Sequence, residues 1–156
     1  MDTRWKPNVT VAAIIERDGR YLLIEEHTPE GLRLNNPAGH LDPGECPVDA
    51  CRREVLEETM RPFEPTALVG VYLARSVVRG QDTTYLRFAF CGELGDLVAG
   101  QALDKGIVRT LWLSADAIRA CPERHRSPLL IKCMDDYLAG VRHPLSVITT
   151  DASVYG

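Results

Sequence analysis

Gly39-His40-Leu41-Asp42-Pro43-Gly44-Glu45-Cys46-Pro47-Val48-Asp49-Ala50-Cys51-Arg52-Arg53-Glu54-Val55-Leu56-Glu57-Glu58-Thr59-Met60-Arg61 is the stretch on which the reading of this chain turns. Within it Glu54, Glu57 and Glu58 stand at i, i+3 and i+4. In a helix that spacing puts three carboxylates on one face. Like charges at i, i+4 destabilise a bare helix, and anions near its C-terminal end oppose the macrodipole. Pro62 follows closely and marks that end. The local rules are therefore violated unless a cation compensates, and a hard divalent metal with oxygen ligands is the natural one.

Pro47 is placed to open the helix, which the spacing predicts to run to about Met60. Val48, Cys51 and Val55 recur at helical spacing and form its buried stripe. The three glutamates lie beside that stripe, at the edge of the core rather than on the far solvent face. Just upstream, Asp42-Pro43-Gly44-Glu45 carries the type II turn pattern, and Asn36–Leu41 reads as a short extended piece.

Further out, Val9–Ile15, the turn Asp18-Gly19 and Tyr21–Ile24 predict a β-hairpin. Apolar runs at Leu68–Ala74 and Tyr85–Phe90 predict two more strands, and Thr110–Leu113 a brief one. A helix capped by Ser114 and stopped by Pro122 follows. A last helix starts at Ser127-Pro128, turns Leu130, Met134, Tyr137 and Leu138 to the core, and ends at Gly140. The tail beyond Val141 shows no period. The fold class expected is α/β, one domain over residues 1–156 with a mixed β-sheet between α-helices.

With 45% hydrophobic and 26% charged residues in 156, the chain has room for a real core. A formal net charge of -4 gives no general attraction for nucleic acid or anionic lipid. The five cysteines, Cys46, Cys51, Cys91, Cys121 and Cys133, are an odd set without a C-x-x-C pair, as in a reduced cytoplasmic protein. Met1-Asp2-Thr3-Arg4-Trp5-Lys6 leads into no apolar segment of signal-peptide type, and no apolar run approaches the ~20 residues of a membrane span. The cytoplasm is the expected location, with no nucleic-acid or membrane partner, as a monomer or homodimer.

Gly39, five residues, Glu45, seven residues and then Arg53-Glu54-Val55-Leu56-Glu57-Glu58 closely resembles the signature box of the Nudix hydrolases. Every charged position is in register. The departures are Met60, where that box has a second glycine, and Arg61, where it has an aliphatic residue. Lys6–Ala12, Asn36–Leu41, Leu86-Arg87-Phe88, Arg126–Leu129 and His143-Pro144-Leu145 resemble a bacterial subgroup of MutT-like Nudix phosphatases. Members of that subgroup act on nucleoside tri- and diphosphates and on the pyrimidine pyrophosphate of thiamine synthesis. The resemblance implies a Nudix fold and metal-dependent hydrolysis of a phosphoanhydride with release of orthophosphate.

By the same resemblance, Glu54, Glu57 and Glu58 are metal ligands, joined by the backbone carbonyl of Gly39. The expected ion is Mg2+, with Mn2+ as an alternative. Arg53 orients the glutamates and from its spacing can reach Glu57. Glu45 is either a favourable anion at a helix N-terminus or a member of the site. The general base is Glu54, or else an acid on a later loop; in Gln101–Gly106 the acid is Asp104. Arg33, Arg87 and Arg126 are candidates for phosphate contact and Asn36 for a base or phosphate. For Arg87 a carboxylate partner inside the fold explains it equally well, and Asn36 also suits a turn before Pro37. Four histidines, His27, His40, His125 and His143, show no metal-ligand spacing.

Three other readings compete. A non-catalytic nucleotide-binding sensor on the same fold would be free to lose Arg53 or the glutamates, and all are present. An isopentenyl-type isomerase needs a cysteine and a glutamate placed for proton transfer, and no cysteine has that context. An acidic surface helix in an interaction protein has no need of the register with Gly39, Glu45 and Arg53.

Overall fold

A computed structural model describes residues 3–100 and 102–156; Met1, Asp2 and Gln101, the first residue of the loop carrying Asp104, lie outside the described residues. In chain order its strands are β1 (Asn8–Ile14), β2 (Glu16–Arg17), β3 (Arg20–Thr28), β4 (Gly31–Asn35) and β5 (Ala38–His40), followed by β6 (Phe63–Val78), β7 (Gln81–Leu94) and β8 (Ile107–Ser114). The helices are α1 (Pro47–Thr59), α2 (Ala115–Arg119) and α3 (Leu129–Leu138). Among the described residues no helix is long and apolar enough to cross a membrane.

Asp18 and Gly19 take φ of 53° and 78°, the mirror-image turn that favours Asp-Gly in two-residue hairpins. The hairpin they close is β2–β3, with Glu16 opposite Tyr21 and Arg17 opposite Arg20. The long strand before it does not join that hairpin, which corrects the sequence expectation. Val11–Ile14 are buried on both faces, as suits an interior strand, whose buried backbone groups need pairing strands on either side. It finds them in β5, antiparallel, and β7, parallel.

The strands therefore divide into two sheets. One is mixed, in the order β5-β1-β7-β6. In the other, β3 pairs antiparallel with β2, β4 and β8. The α/β class stands, and the helices pack on the sheets as expected. On one face α1 sets Ala50, Cys51 and Val55 against Val11, Ala13, Ile15 and Phe90. On the other, Ile118 of α2 and Leu129, Leu130, Cys133 and Met134 of α3 meet Ile14, Leu23, Leu34 and Ala89. Burial of this kind contributes about 25 cal/mol per Å2 of apolar surface. Leu138, expected in the core, is exposed, because the helix ends there and Gly140 turns the chain away at φ 82°.

β6 and β7 form a hairpin much longer than their apolar middles, closed by Arg79 and Gly80 at φ 50° and 79°. Its outer half carries Arg75, Ser76, Asp82, Thr83 and Thr84, with Val77 and Val78 the apolar residues, so its hydrophobic trace in the sequence is weak. The C-terminal tail is held in place: His143 and Leu68 exchange backbone hydrogen bonds of 2.8 and 2.9 Å, and Leu145 and Ile148 pack on the core.

Candidate active site

The site forms where the C-terminal half of α1 passes the short edge strand β5. Gly39 sits at the crossing. A Cβ there would stand 2.1 to 2.3 Å from the Glu54 carboxylate, so any larger residue would push that carboxylate aside. One turn on, Glu58 Oε1 accepts a 2.6 Å hydrogen bond from the backbone N–H of Ala38. Both glutamates are at least nine-tenths buried.

Arg53 organises the outer side. It donates to both oxygens of Glu45 (2.7 and 3.0 Å), to Glu54 Oε1 (2.8 Å), to Glu57 Oε2 (3.3 Å) and to the His40 carbonyl (2.9 Å). Asp42 Oδ2 lies 3.3 Å from it. Glu45 thereby works as the clamp on Arg53, with the Asp42 amide as its second donor at 2.8 Å. The Arg53 hydrogen bond, resisted by burial, holds the Glu45 carboxyl below the usual range.

Met60 ends the helix in the left-handed region at φ 60°, with its N–H bonded to the Leu56 carbonyl at 2.9 Å. The next carbonyls are met by the loop before β8: Val98 N–H donates to Met60 O at 2.8 Å and Asp104 N–H to Glu57 O at 3.1 Å. These bonds satisfy orphan groups of the helix end and deliver Asp104 to the glutamates. One carboxylate oxygen each from Glu54, Glu57 and Asp104 lie within 4.8 Å of one another. Glu58 is not in that trio, since its carboxylate is turned to the Ala38 amide.

So much negative charge in little space is resisted. Burial, opposed by Arg53 and assisted by Glu57 and Asp104, pushes the Glu54 carboxyl up to about 7. Burial, opposed by the Ala38 amide and assisted by Glu26, Glu54 and Asp104, pushes Glu58 up to about 9. Three hard oxygen donors with surplus charge suit a hard divalent cation, and they suit a soft or monovalent ion poorly.

A cavity of about 760 Å3 opens beside this cluster. Glu54, Glu58 and Gly39 line it, and so do Arg33, Arg87 and Arg126; Glu57 and Asp104 meet Glu54 outside its lining. Asn36 does not reach the cavity either. It is 2% exposed and accepts from Arg87 Nη1 at 3.3 Å, so it supports the arginine rather than touching a ligand directly. Arg87 has no carboxylate within ion-pair distance among the described residues. Arg126, by contrast, is paired with Glu26.

Glu26 and Asn35 are cavity residues that sequence reasoning missed. Burial, opposed by Arg126, raises the Glu26 carboxyl above its ordinary value. Strand alternation offered the signal. Adjacent Glu25 and Glu26 must face opposite sides of β3, and Glu25 is held by Arg109 at 3.0 Å and Arg124 at 2.7 Å.

A NUDIX domain model matches residues 5–131. The chain is 34% identical over 144 residues to the Phosphatase NudJ of Escherichia coli strain K12, covering 92% of each. A NUDIX hydrolase from Nitrosomonas europaea of known structure is 51% identical, covers 94% of this chain and 98% of its own, and superimposes with a TM-score of 0.87. The MutT protein of Methanosarcina mazei Go1, 21% identical over 88% of this chain and 99% of its own, shares the fold at a TM-score of 0.68.

Proposed function

This chain belongs to the Nudix hydrolase family, and from that premise we propose that it hydrolyses the terminal phosphoanhydride of a nucleoside di- or triphosphate, or of a related pyrophosphate such as the thiamine-precursor pyrimidine pyrophosphate, releasing orthophosphate. Nudix hydrolases act on small phosphate compounds and generally use divalent metals. The phosphatase relative supports orthophosphate as the product. The observation that carries the reading is the approach of Glu54, Glu57 and Asp104 beside a cavity that also presents Arg33, Arg87 and Arg126.

In this proposal Glu54, Glu57 and Asp104 hold a Mg2+ or Mn2+ ion. Glu58 and the Gly39 carbonyl are further ligands at the cavity wall. Such an ion supplies charge neutralisation on the phosphate oxygens and lowers the pKa of water. Arg53 fixes the carboxylates in register from behind, through the Glu45 clamp. Glu54, which meets both Arg53 and the cavity, is placed to take a proton from the attacking water. Asp104 is the alternative base. Positive charge from Arg33, Arg87 and Arg126 offsets the polyphosphate in an otherwise acidic protein. We place this activity in one domain spanning residues 1–156, acting in the cytoplasm as a monomer or homodimer, without nucleic acid or membrane.

The test is a panel of nucleotides, dinucleotides and thiamine intermediates, assayed with Mg2+, with Mn2+ and with a chelator. Orthophosphate released only with metal is the expected result. Monophosphate plus pyrophosphate from a triphosphate overturns the bond assignment, and tight binding without any release overturns the hydrolase reading.

A further inference from the structure

Arg87 is 5% exposed and lies on the cavity floor, beside Thr10 of β1. Among the described residues its hydrogen-bond partners are neutral: Asn36 Oδ1 at 3.3 Å, Asn35 Oδ1 at 3.2 Å and Cys133 Sγ at 3.9 Å; the carboxylate that acts on it from further away is Glu26, which is bonded to Asn35 and paired with Arg126. Buried guanidinium groups normally pair with carboxylates, because an uncompensated buried charge is strongly unfavourable. Several half-exposed arginines of the chain are paired that way. Arg75 is paired with Asp82, Arg109 and Arg124 with Glu25, and Arg126 with Glu26. Two long hydrogen bonds to amide oxygens orient Arg87 but leave its charge in place.

The position of that charge fits the proposed chemistry. Arg87 stands opposite Thr10, and Thr10 opposite His40, so roughly two strand spacings, ~10 Å, separate its Cα from the strand that carries Gly39. A di- or triphosphate bridges that span. Asn36, which is 2% exposed, and Cys133 of α3, which is fully buried, hold the guanidinium from the protein side.

We propose that Arg87, set in place by Asn35 and Asn36, is a subsite for a terminal phosphate in the cavity. No carboxylate of the described residues lies within ion-pair distance of the guanidinium, and the ligand supplies the negative charge in direct contact with it. In the context of the proposed hydrolysis, on which this corollary rests, the phosphate held there is the one released. A free terminal phosphate carries more negative charge than an esterified one, so substrates ending in it are then favoured over those capped at both ends. Arg87 is a binding residue; Asn35 and Asn36 are positioning residues.

The decisive variant is Asn36→Asp, nearly isosteric, which places a carboxylate on Arg87. Inorganic phosphate is the probe, titrated calorimetrically with a chelator present so that no metal contributes. The parent chain is expected to bind phosphate. Asn36→Asp is expected to melt higher, because the buried charge is now paired, and to bind phosphate at least tenfold more weakly. Arg87→Met should lose phosphate binding to the same degree. If Asn36→Asp binds phosphate as the parent does, or if the metal-free parent binds none, the subsite is refuted. A kinetic arm compares a nucleoside triphosphate with its terminal methyl ester. The parent should prefer the free form at least tenfold in kcat/KM, and Arg87→Met should lose that preference; equal preference in both proteins counts against the subsite. The phosphate titration decides this inference even if no substrate in the panel is hydrolysed.

Discussion

The carboxylate of Glu54 rests on the α carbon of Gly39, so close that a Cβ at position 39 would stand 2.1 Å from its carboxyl carbon. The contact joins an edge strand to a helix and places the glutamate at once on Arg53 and on the cavity wall.

Gly39→Ala is therefore a probe of position alone. The backbone at Gly39 is not left-handed, so alanine adds no backbone strain there. The added methyl forces Glu54 aside while leaving every ionisable group present. A displacement of about 1 Å in a catalytic group costs about 100-fold, and a fall in kcat/KM of at least that size is expected with an unchanged circular dichroism spectrum. Activity within a few-fold of the parent would mean that the Glu54 carboxylate has no positional role.

Glu58→Gln tests the glutamate that the trio leaves out. The Gln side-chain oxygen can still accept from the Ala38 amide, and a neutral group suits a site that pushes the carboxyl up to about 9. Thermal stability should hold or rise while nearly all turnover disappears. Retained turnover would confine Glu58 to a structural role.

The two raised glutamates predict a pH dependence of the metal-free protein. Their ordinary value is 4.5; folded, Glu54 sits at about 7 and Glu58 at about 9. Between 4.5 and those values the folded chain holds protons that the unfolded chain has released. Stability must then fall as pH rises through that window, by up to about 1.4 kcal/mol per pH unit for each group. With a chelator present, Tm should drop from about pH 5 to 9. Added Mg2+ should restore it most at the alkaline end and release protons on binding, measurable by calorimetry in two buffers of different ionisation enthalpy. A metal-free Tm that rises over this window would show that the carboxylates are already charged.

What the sequence revealed and what it hid follow from the range of the interactions. Pro47, the 3.6-residue stripe, Gly44 at φ 84° and the Ser114 hydroxyl accepting from Ala117 N–H at 3.1 Å are local devices, and all were legible. Strand partnership was not. β1 looked like half of a local hairpin because turn chemistry is local, whereas Val11 pairs with Phe88, far along the chain. The arrival of Asp104 depends on a backbone bond to Glu57, which no side-chain pattern encodes. Glu26 was concealed because a strand glutamate beside another reads as surface.

Met60 holds a left-handed conformation at φ 60° where a glycine would sit without strain. For an L-residue with a side chain that conformation costs roughly 1 kcal/mol, and the helix end is already secured by the Met60 N–H on Leu56 O and the Val98 N–H on Met60 O. Met60→Gly should therefore stabilise the fold by about 1 kcal/mol, seen as a Tm increase of about 2–4 °C for a chain of this size. Activity should stay within a few-fold, because the substitution leaves the carboxylates and Arg53 untouched. If the variant instead melts lower, the Met60 side chain contributes packing that outweighs the backbone strain. The family's usual glycine at this position would then reflect a different surrounding structure rather than a general need of the helix exit.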